Sequence, residues 1–395
     1  MLMRYRRFGR TELPMPVLSC GGMRYQYQWQ DLPWSQIPAA SQANLEATIR
    51  RAWELGITHI ETARGYGTSE LQLGRILPTL PRDPLIVQTK IAPKRDPEEF
   101  RATFEQSLAN LQLDYVDLLG IHGINTWELL QETIRPGGCL EVAEGWRRQG
   151  RVRFLGFSTH GPLEVILAAI ATDRFDYVNL HWYYINQQNW PAIVAARQRD
   201  MGVFIISPAD KGGRLYRPSR RLVELCQPLS PLVFNDLFCL SHGEVHTLSV
   251  GAARPSDFEE HLQAVALLDQ AGQLLPPILA RLEQAWVAAL GQDYAQRWQE
   301  GLPSYEETPG QMNIPVILWL RNLVLAYDML EYGQMRYNLL GNGGHWFPGQ
   351  RVMPVDPQAL RACLAKSPFR EQIPGYLQEA DRLLRSTPVQ RLSSA

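Results

Sequence analysis

Short apolar runs alternate with helix-period segments along most of this chain, and that rhythm restricts the fold more than any other feature of the sequence. From residue 15 to about 251 the apolar runs are Val17-Leu18-Ser19, Ile57 to Ile60, Leu85-Ile86-Val87, Tyr115 to Ile121, Val152 to Phe157, Tyr177 to Leu180, Val203 to Ile206 and Thr247 to Val250, eight in all. Each is too short for a helix, and several are rich in β-branched residues. Between them lie segments such as ANLEATIRRAWELG, where Leu45, Ile49, Ala52 and Trp53 share one helical face and Gly56 ends the helix. In DPEEFRATFEQSLANL the stripe is Phe100, Phe104, Leu108 and Leu111. Strict β/α alternation implies parallel strands with crossover helices, and eight units of this size predict a closed (β/α)8 TIM barrel. An open doubly wound sheet usually carries a Gly-x-Gly-x-x-Gly turn after its first strand, and SCGGMRY does not match.

Two additions decorate the barrel. YRRFGRTELPMPV reads as a hairpin around Gly9-Arg10-Thr11, placed to plug the barrel floor. Tyr25 to Ala40 form a long first loop holding Tyr25, Tyr27, Trp29 and Trp34, rings that either line an apolar pocket at the barrel mouth or simply pin the loop down. Past residue 272 strand-like runs vanish. Helical stretches near 275–292 and 314–331 alternate with breaks such as GLPSYEETPG and GNGGHWFPGQ, the latter placing His345, Trp346 and Phe347 on a Gly-rich loop. With 395 residues available, the expected organisation is a barrel over 1–271 and a helical C-terminal extension over 272–395.

Bulk properties remove several function classes. Lys plus Arg number 39 against 40 Asp plus Glu, so no basic face suggests a nucleic-acid partner. The most apolar run, IPVILWL, is far too short to span a membrane. The five cysteines are scattered without a C-x-x-C pair, and MLMRYRRFGRTELP lacks the apolar core of a signal peptide, which together point to the cytoplasm. His242 and His246 have the spacing of a helical metal pair. Gly243 breaks that helix, however, and a surface turn before strand eight is the stronger reading.

In barrels of this kind, chemistry sits at the C-terminal strand ends and the loops that follow them. That rule selects Glu61 at the end of strand two, Tyr66 in the next loop, Lys90 at the end of strand three and His122 at the end of strand four. The four residue types fit one reaction. A tyrosine can protonate a carbonyl oxygen as hydride reaches the carbon, yet its ordinary pKa of about 10 is high for the task. A lysine ammonium nearby stabilises the phenolate, a carboxylate holds the lysine, and a histidine donates to the substrate oxygen. Each alone has a dull explanation: a turn tyrosine, a solvated lysine, a core histidine. Their joint placement at neighbouring strand ends does not.

These residues also carry a resemblance. GITHIETARGYGTSELQLGRIL resembles the aldo-keto reductase segment G-x-x-x-x-D-T-A-x-x-Y-G-x-S-E, and VQTKI and LDYVDLLGIH resemble that family's strand-three lysine and strand-four histidine motifs. RFLGFST resembles its strand five, and the likeness extends from about residue 4 to 262. It implies NAD(P)H-dependent reduction of an aldehyde or ketone, with Tyr66 as general acid, Lys90 tuning its pKa and His122 orienting the substrate. There are departures. Glu61 replaces the family's Asp, Thr159 its Asn, Asn179 its Gln, and Ile206 a frequent Tyr that stacks on nicotinamide.

The resemblance further implies that Gly22, Met23, Ser158, Thr159, Asn179, Ile206 and Ser207 contact the cofactor, with Ser158 on the carboxamide and Ile206 covering the nicotinamide ring. The phosphates are then expected at Lys211, Gly213 and Arg214 and at Gly251 and Arg254, on the loops after strands seven and eight and the helix start that follows, with Asp257 and Glu260 as further cofactor contacts. Asp257 falls near a common family Arg for the 2′-phosphate and His261 replaces a usual Asn, so the expected NADPH would rest on Arg254. SYEETPGQMNIP…EYGQMRYNLL resembles the tail of iron–sulfur-binding relatives, but only Cys363 remains beyond residue 272, so no cluster is expected. The tail is then left for packing, for covering the site or for a protein partner. The alternative reading is an NADP(H)-binding sensor or partner-binding protein with little turnover, motivated by Glu61, Thr159, Ile206 and Asp257.

Overall fold

The computed structural model describes residues 3–341 and 347–387. Its eight parallel strands are β1 Leu18–Gly21, β2 His59–Glu61, β3 Ile86–Ile91, β4 Val116–His122, β5 Val152–Ser158, β6 Tyr177–Leu180, β7 Gly202–Ile205 and β8 Thr247–Val250. They pair in chain order and β8 closes onto β1, with Leu248 opposite Leu18 and Ser249 opposite Ser19. This is the expected (β/α)8 barrel, and each of the eight apolar runs contributes one strand.

The surrounding helices form where the stripes predict. Helix Ala39–Glu54 buries Leu45, Ile49 and Ala52 together with Gln42 and Thr48, and the chain turns away at Gly56, whose φ is 77°. Helix Pro97–Leu111 begins with the Asp96 carboxylate accepting from the Glu98 N–H and with Pro97 in its first turn, and Phe100 and Phe104 stack on Trp146.

The floor is closed by the expected hairpin, Tyr5–Arg7 paired antiparallel with Pro14–Pro16 around the turn Gly9–Thr11. Phe8 is fully buried and packs in one cluster with Leu13, Met15, Ile86, Leu118, Tyr177 and Phe204. Gly202 lets the ring in, since a Cβ there would lie 2.5 Å from it. His246 is 6 % exposed, its Nδ1 accepts from the Val203 N–H (3.0 Å), and its ring meets Phe8 edge-on. The surface-turn reading of His246 is therefore corrected: the chain tucks it under the barrel. His242 packs against Trp182 and Trp190, and among the described residues no cluster of His, Cys, Asp or Glu could hold a metal ion.

The described residues fall into two compact units. One runs to Gly212 and takes in Asn235–Ala271; the other comprises Gly213–Phe234 and the chain from Gly272 onward. In the second unit, helices Ala271–Leu290, Ile314–Tyr327, Leu330–Tyr337 and Ile373–Leu384 replace the rougher expectation, and the stretch near 314–331 breaks at Asp328, which adopts a left-handed φ of 54°. His345 and Trp346 lie outside the described residues. Among the described residues no helix is long and apolar enough to cross a membrane.

Candidate active site

Side chains alternate along a strand, so His59 and Glu61, Gln88 and Lys90, Gly120 and His122, and Tyr177 and Asn179 each share a face. The pairing carries these faces around the barrel: Gly21 lies opposite Glu61, Lys90 opposite Gly120, His122 opposite Ser158 and Ser158 opposite Asn179. Two glycines make room. A Cβ on Gly120 would lie 2.9 Å from Lys90 Cγ, and one on Gly21 would lie 2.4 Å from Ser249 Oγ and 3.4 Å from Glu61 Oε2.

Glu61 reaches Lys90. The ammonium contacts Glu61 Oε1 and donates to the Thr62 carbonyl at 2.8 Å, and both residues are 2 % exposed. Burial pulls the Lys90 pKa down, while the touching Glu61 carboxylate opposes that pull and favours the charged ammonium. Lys90 Nζ lies 4.9 Å from the centre of the Tyr66 ring. Burial pushes the Tyr66 phenol above its ordinary pKa, so the group is a protonated acid at neutral pH. The Tyr66 ring is met edge-on by His122 (5.7 Å between centroids, 81°) and by Trp29 (5.7 Å, 76°).

The long first loop is strapped to the segment that carries Tyr66. Tyr27 N–H donates to Thr68 Oγ1 (3.1 Å) and Gln72 Oε1 (2.9 Å), Thr68 N–H donates to the Gln28 carbonyl (3.0 Å), and Arg64 pairs with Asp31. A Cβ on Gly67 would collide with Gln28 O at 2.0 Å. The loop's aromatics thus divide: Tyr25 is buried and Trp29 meets Tyr66, whereas Tyr27 and Trp34 are exposed. Sequence reasoning missed the Asp31–Arg64 tie, since no spacing pattern links two residues that far apart. It also missed the stacked histidines His160 and His181, whose Nδ1 and Nε2 lie 2.5 Å apart beside Lys211 Nζ (3.3 and 3.2 Å).

The remaining expected cofactor residues differ in what they have left to offer. Asn179 is fully buried, and neither Nδ2 nor Oδ1 has a hydrogen-bond partner. Ser158 Oγ accepts from the Gly123 N–H (3.1 Å), which leaves its own hydroxyl proton to donate. Thr159 is committed elsewhere: its hydroxyl donates to the Ile124 carbonyl (2.8 Å) and accepts from the Gly161 N–H. Gly22 passes close to β2, where a Cβ would lie 2.7 Å from Glu61 O, and Met23 and Ile206 are half-buried. Ser207 has a left-handed φ of 54°. Arg214 pairs with Glu331. Arg254 donates through Nε to Asp257 Oδ1 (3.0 Å), and the other carboxylate oxygen accepts from the Ala253 N–H (2.8 Å). His261 is turned inward against Asp236.

The model of the Aldo/keto reductase family matches residues 17–213, about half of the chain and most of its barrel strands. The barrel belongs to the aldo/keto reductase family. This is a family of oxidoreductases acting on carbonyl compounds. Among its curated relatives, L-galactose dehydrogenase of Arabidopsis thaliana is 28% identical over 258 residues, covering 57% of this chain and 79% of that protein. L-glyceraldehyde 3-phosphate reductase of Escherichia coli (strain K12) is 28% identical over 176 residues, which span only 46% of its length and 40% of this chain. An aldo-keto reductase from Klebsiella pneumoniae solved with NADPH shares the fold, with a TM-score of 0.54 and 21% identity over 70% of this chain and 96% of that one.

Proposed function

We propose that this chain reduces an aldehyde or ketone with hydride from NADH or NADPH, and that Tyr66 is the general acid. The observation that carries this reading is the buried Lys90–Glu61 pair set against the Tyr66 ring, with His122 packed edge-on to the same ring. Asn179 supports a nicotinamide cofactor, because a carboxamide offers the acceptor and donor that its buried Nδ2 and Oδ1 need, and the Ser158 hydroxyl can join it. The cofactor supplies the hydride. As hydride adds to the carbonyl carbon, the Tyr66 hydroxyl proton passes to the carbonyl oxygen. The phenolate left behind is stabilised by the Lys90 ammonium, and His122 donates to the same oxygen.

Glu61 in contact with Lys90 removes the main reason to favour a silent sensor, namely that the longer carboxylate would miss its lysine. Free thiols at all five cysteines fit a reducing cytoplasm. The deciding experiment follows oxidation of the reduced cofactor with an aromatic aldehyde. Tyr66→Phe is expected to lower turnover by about 10²- to 10⁴-fold while thermal unfolding stays close to wild type. Equal turnover in wild type and Tyr66→Phe would overturn the assignment.

A further inference from the structure

Resting on the reductase reading above, we propose that this chain binds NADH in preference to NADPH, and that Asp257 is the residue that discriminates between them. In a barrel of this type the phosphate end of a dinucleotide meets the loops after β7 and β8 and the helix start that follows. Backbone N–H groups at such a start bind anions. Here the chain supplies that anion itself. Asp257 lies on the turn Pro255–Asp257 that leads into helix Phe258–Leu267, and its carboxylate folds back over the loop. One oxygen accepts from the Ala253 N–H at 2.8 Å and the other from Arg254 Nε at 3.0 Å.

Those are the two donors a 2′-phosphate would need, an oriented backbone N–H and the guanidinium expected to anchor it. Asp257 takes the Ala253 N–H and, of the guanidinium, the Nε alone, on an Arg254 side chain that is 73% exposed; the carboxylate itself is 22% exposed, close enough to the surface to meet a ligand. Within the segment itself the acids outnumber the base. GAARPSDFEEH holds one Arg against Asp257, Glu259 and Glu260, and Glu259 is itself paired with Arg51 at 2.7 Å. A 2′-phosphate would have to displace Asp257 to reach the Ala253 N–H, and on the Nη side of Arg254 it would lie beside the Asp257 charge. A ribose 2′-hydroxyl instead donates to the carboxylate as it stands. The same opposition of acid for a 2′-hydroxyl and arginine for a 2′-phosphate separates the two cofactors in dinucleotide-binding sheets. Arg24 also borders this loop, its guanidinium donating to the Gly251 carbonyl (3.0 Å), and a preference for NADH requires Asp257 to outweigh it.

The test is calorimetric titration of the full-length protein with each cofactor, without substrate. NADH is expected to bind at least about tenfold more tightly than NADPH, the scale of one like-charge contact in partly screened surroundings. Asp257→Asn keeps the size and the acceptor for the Ala253 N–H while removing the charge, and should move the ratio of affinities about tenfold toward NADPH. Should that variant fold poorly, the wild-type ratio for 5′-AMP against 2′,5′-ADP reads the same end of the site without mutation, and 5′-AMP should bind more tightly. NADPH binding as tightly as NADH, or a ratio unmoved in a folded Asp257→Asn, overturns the preference and leaves the reductase reading intact. Failure of both cofactors to bind overturns the reductase reading, and this inference with it.

Discussion

Removing one partner of a buried ion pair strands the other, and Glu61 and Lys90 are both 2 % exposed. Lys90→Met is therefore expected to destabilise the fold by about 3–5 kcal/mol, because the Glu61 carboxylate is left buried without its cation. The double variant Glu61→Leu/Lys90→Met should recover much of that loss while remaining inactive. Urea unfolding of the two singles and the double gives the coupling, and additive losses would mean that the contact carries no energy. The strand-end rule selects Tyr66, Lys90 and His122 because it needs only position along the chain, and the fold brings the three together. It also points to the loop that holds Arg254 and Asp257, but not to the contact between them. Three-residue spacing does not say whether a carboxylate points outward or, as here, back onto the Ala253 N–H.

Among the elements, the floor illustrates how a periodic pattern and a buried polar group divide the work. The hairpin follows from turn residues between two short strands and forms as expected, with Phe8 as the side chain it buries in the floor. His246 does not follow, since nothing in SHGEVHT distinguishes a surface turn from one tucked beneath a barrel. Burial pulls the His246 pKa down to about 4, and that of His59, inside the barrel beside Ser19, to about 3. An unfolded histidine titrates near 6.5, so between these values the unfolded chain binds more protons than the folded one. Stability is then complete above about pH 6.5 and falls on acidification, levelling off only below the folded values. The slope is at most about 1.4 kcal/mol per pH unit for each histidine. The urea midpoint is expected to drop between pH 6.5 and 5, and His246→Asn, which keeps an acceptor for the Val203 N–H, should flatten that drop. An unchanged slope in the variant would place the acid sensitivity elsewhere.

At the scale of the molecule, the change of rhythm near residue 272 marks where the barrel pattern stops, but it does not mark everything that goes with the extension. Segment Gly213–Phe234 clusters with the later helices. Ser219 Oγ donates to the Tyr327 carbonyl (2.6 Å), Arg221 to Ala326 O (3.3 Å), and Arg281 to Leu225 O (3.0 Å). A boundary between independent barrel and tail at 271/272 therefore cuts through a packed unit, and we propose that the chain folds as an interdependent whole. A 1–271 fragment is expected to be poorly soluble and to bind a hydrophobic dye, because it strips the partners from the segment holding the buried Leu222 and Cys226. A monomeric fragment that unfolds cooperatively near the full-length temperature would show the tail to be dispensable.

Sequence alone is enough for the barrel, its floor and the choice of residues at its strand ends. These depend on the period of apolar side chains and on distance along the chain, both of which are local. It takes the folded chain to bring Glu61 to Lys90, Trp29 to Tyr66, Asp257 onto the Ala253 N–H and Arg254 Nε, and Gly213–Phe234 into one unit with the tail. Each of these depends on where a side chain points or which distant segment it meets, and backbone closure sets that geometry without leaving a periodic trace in the sequence.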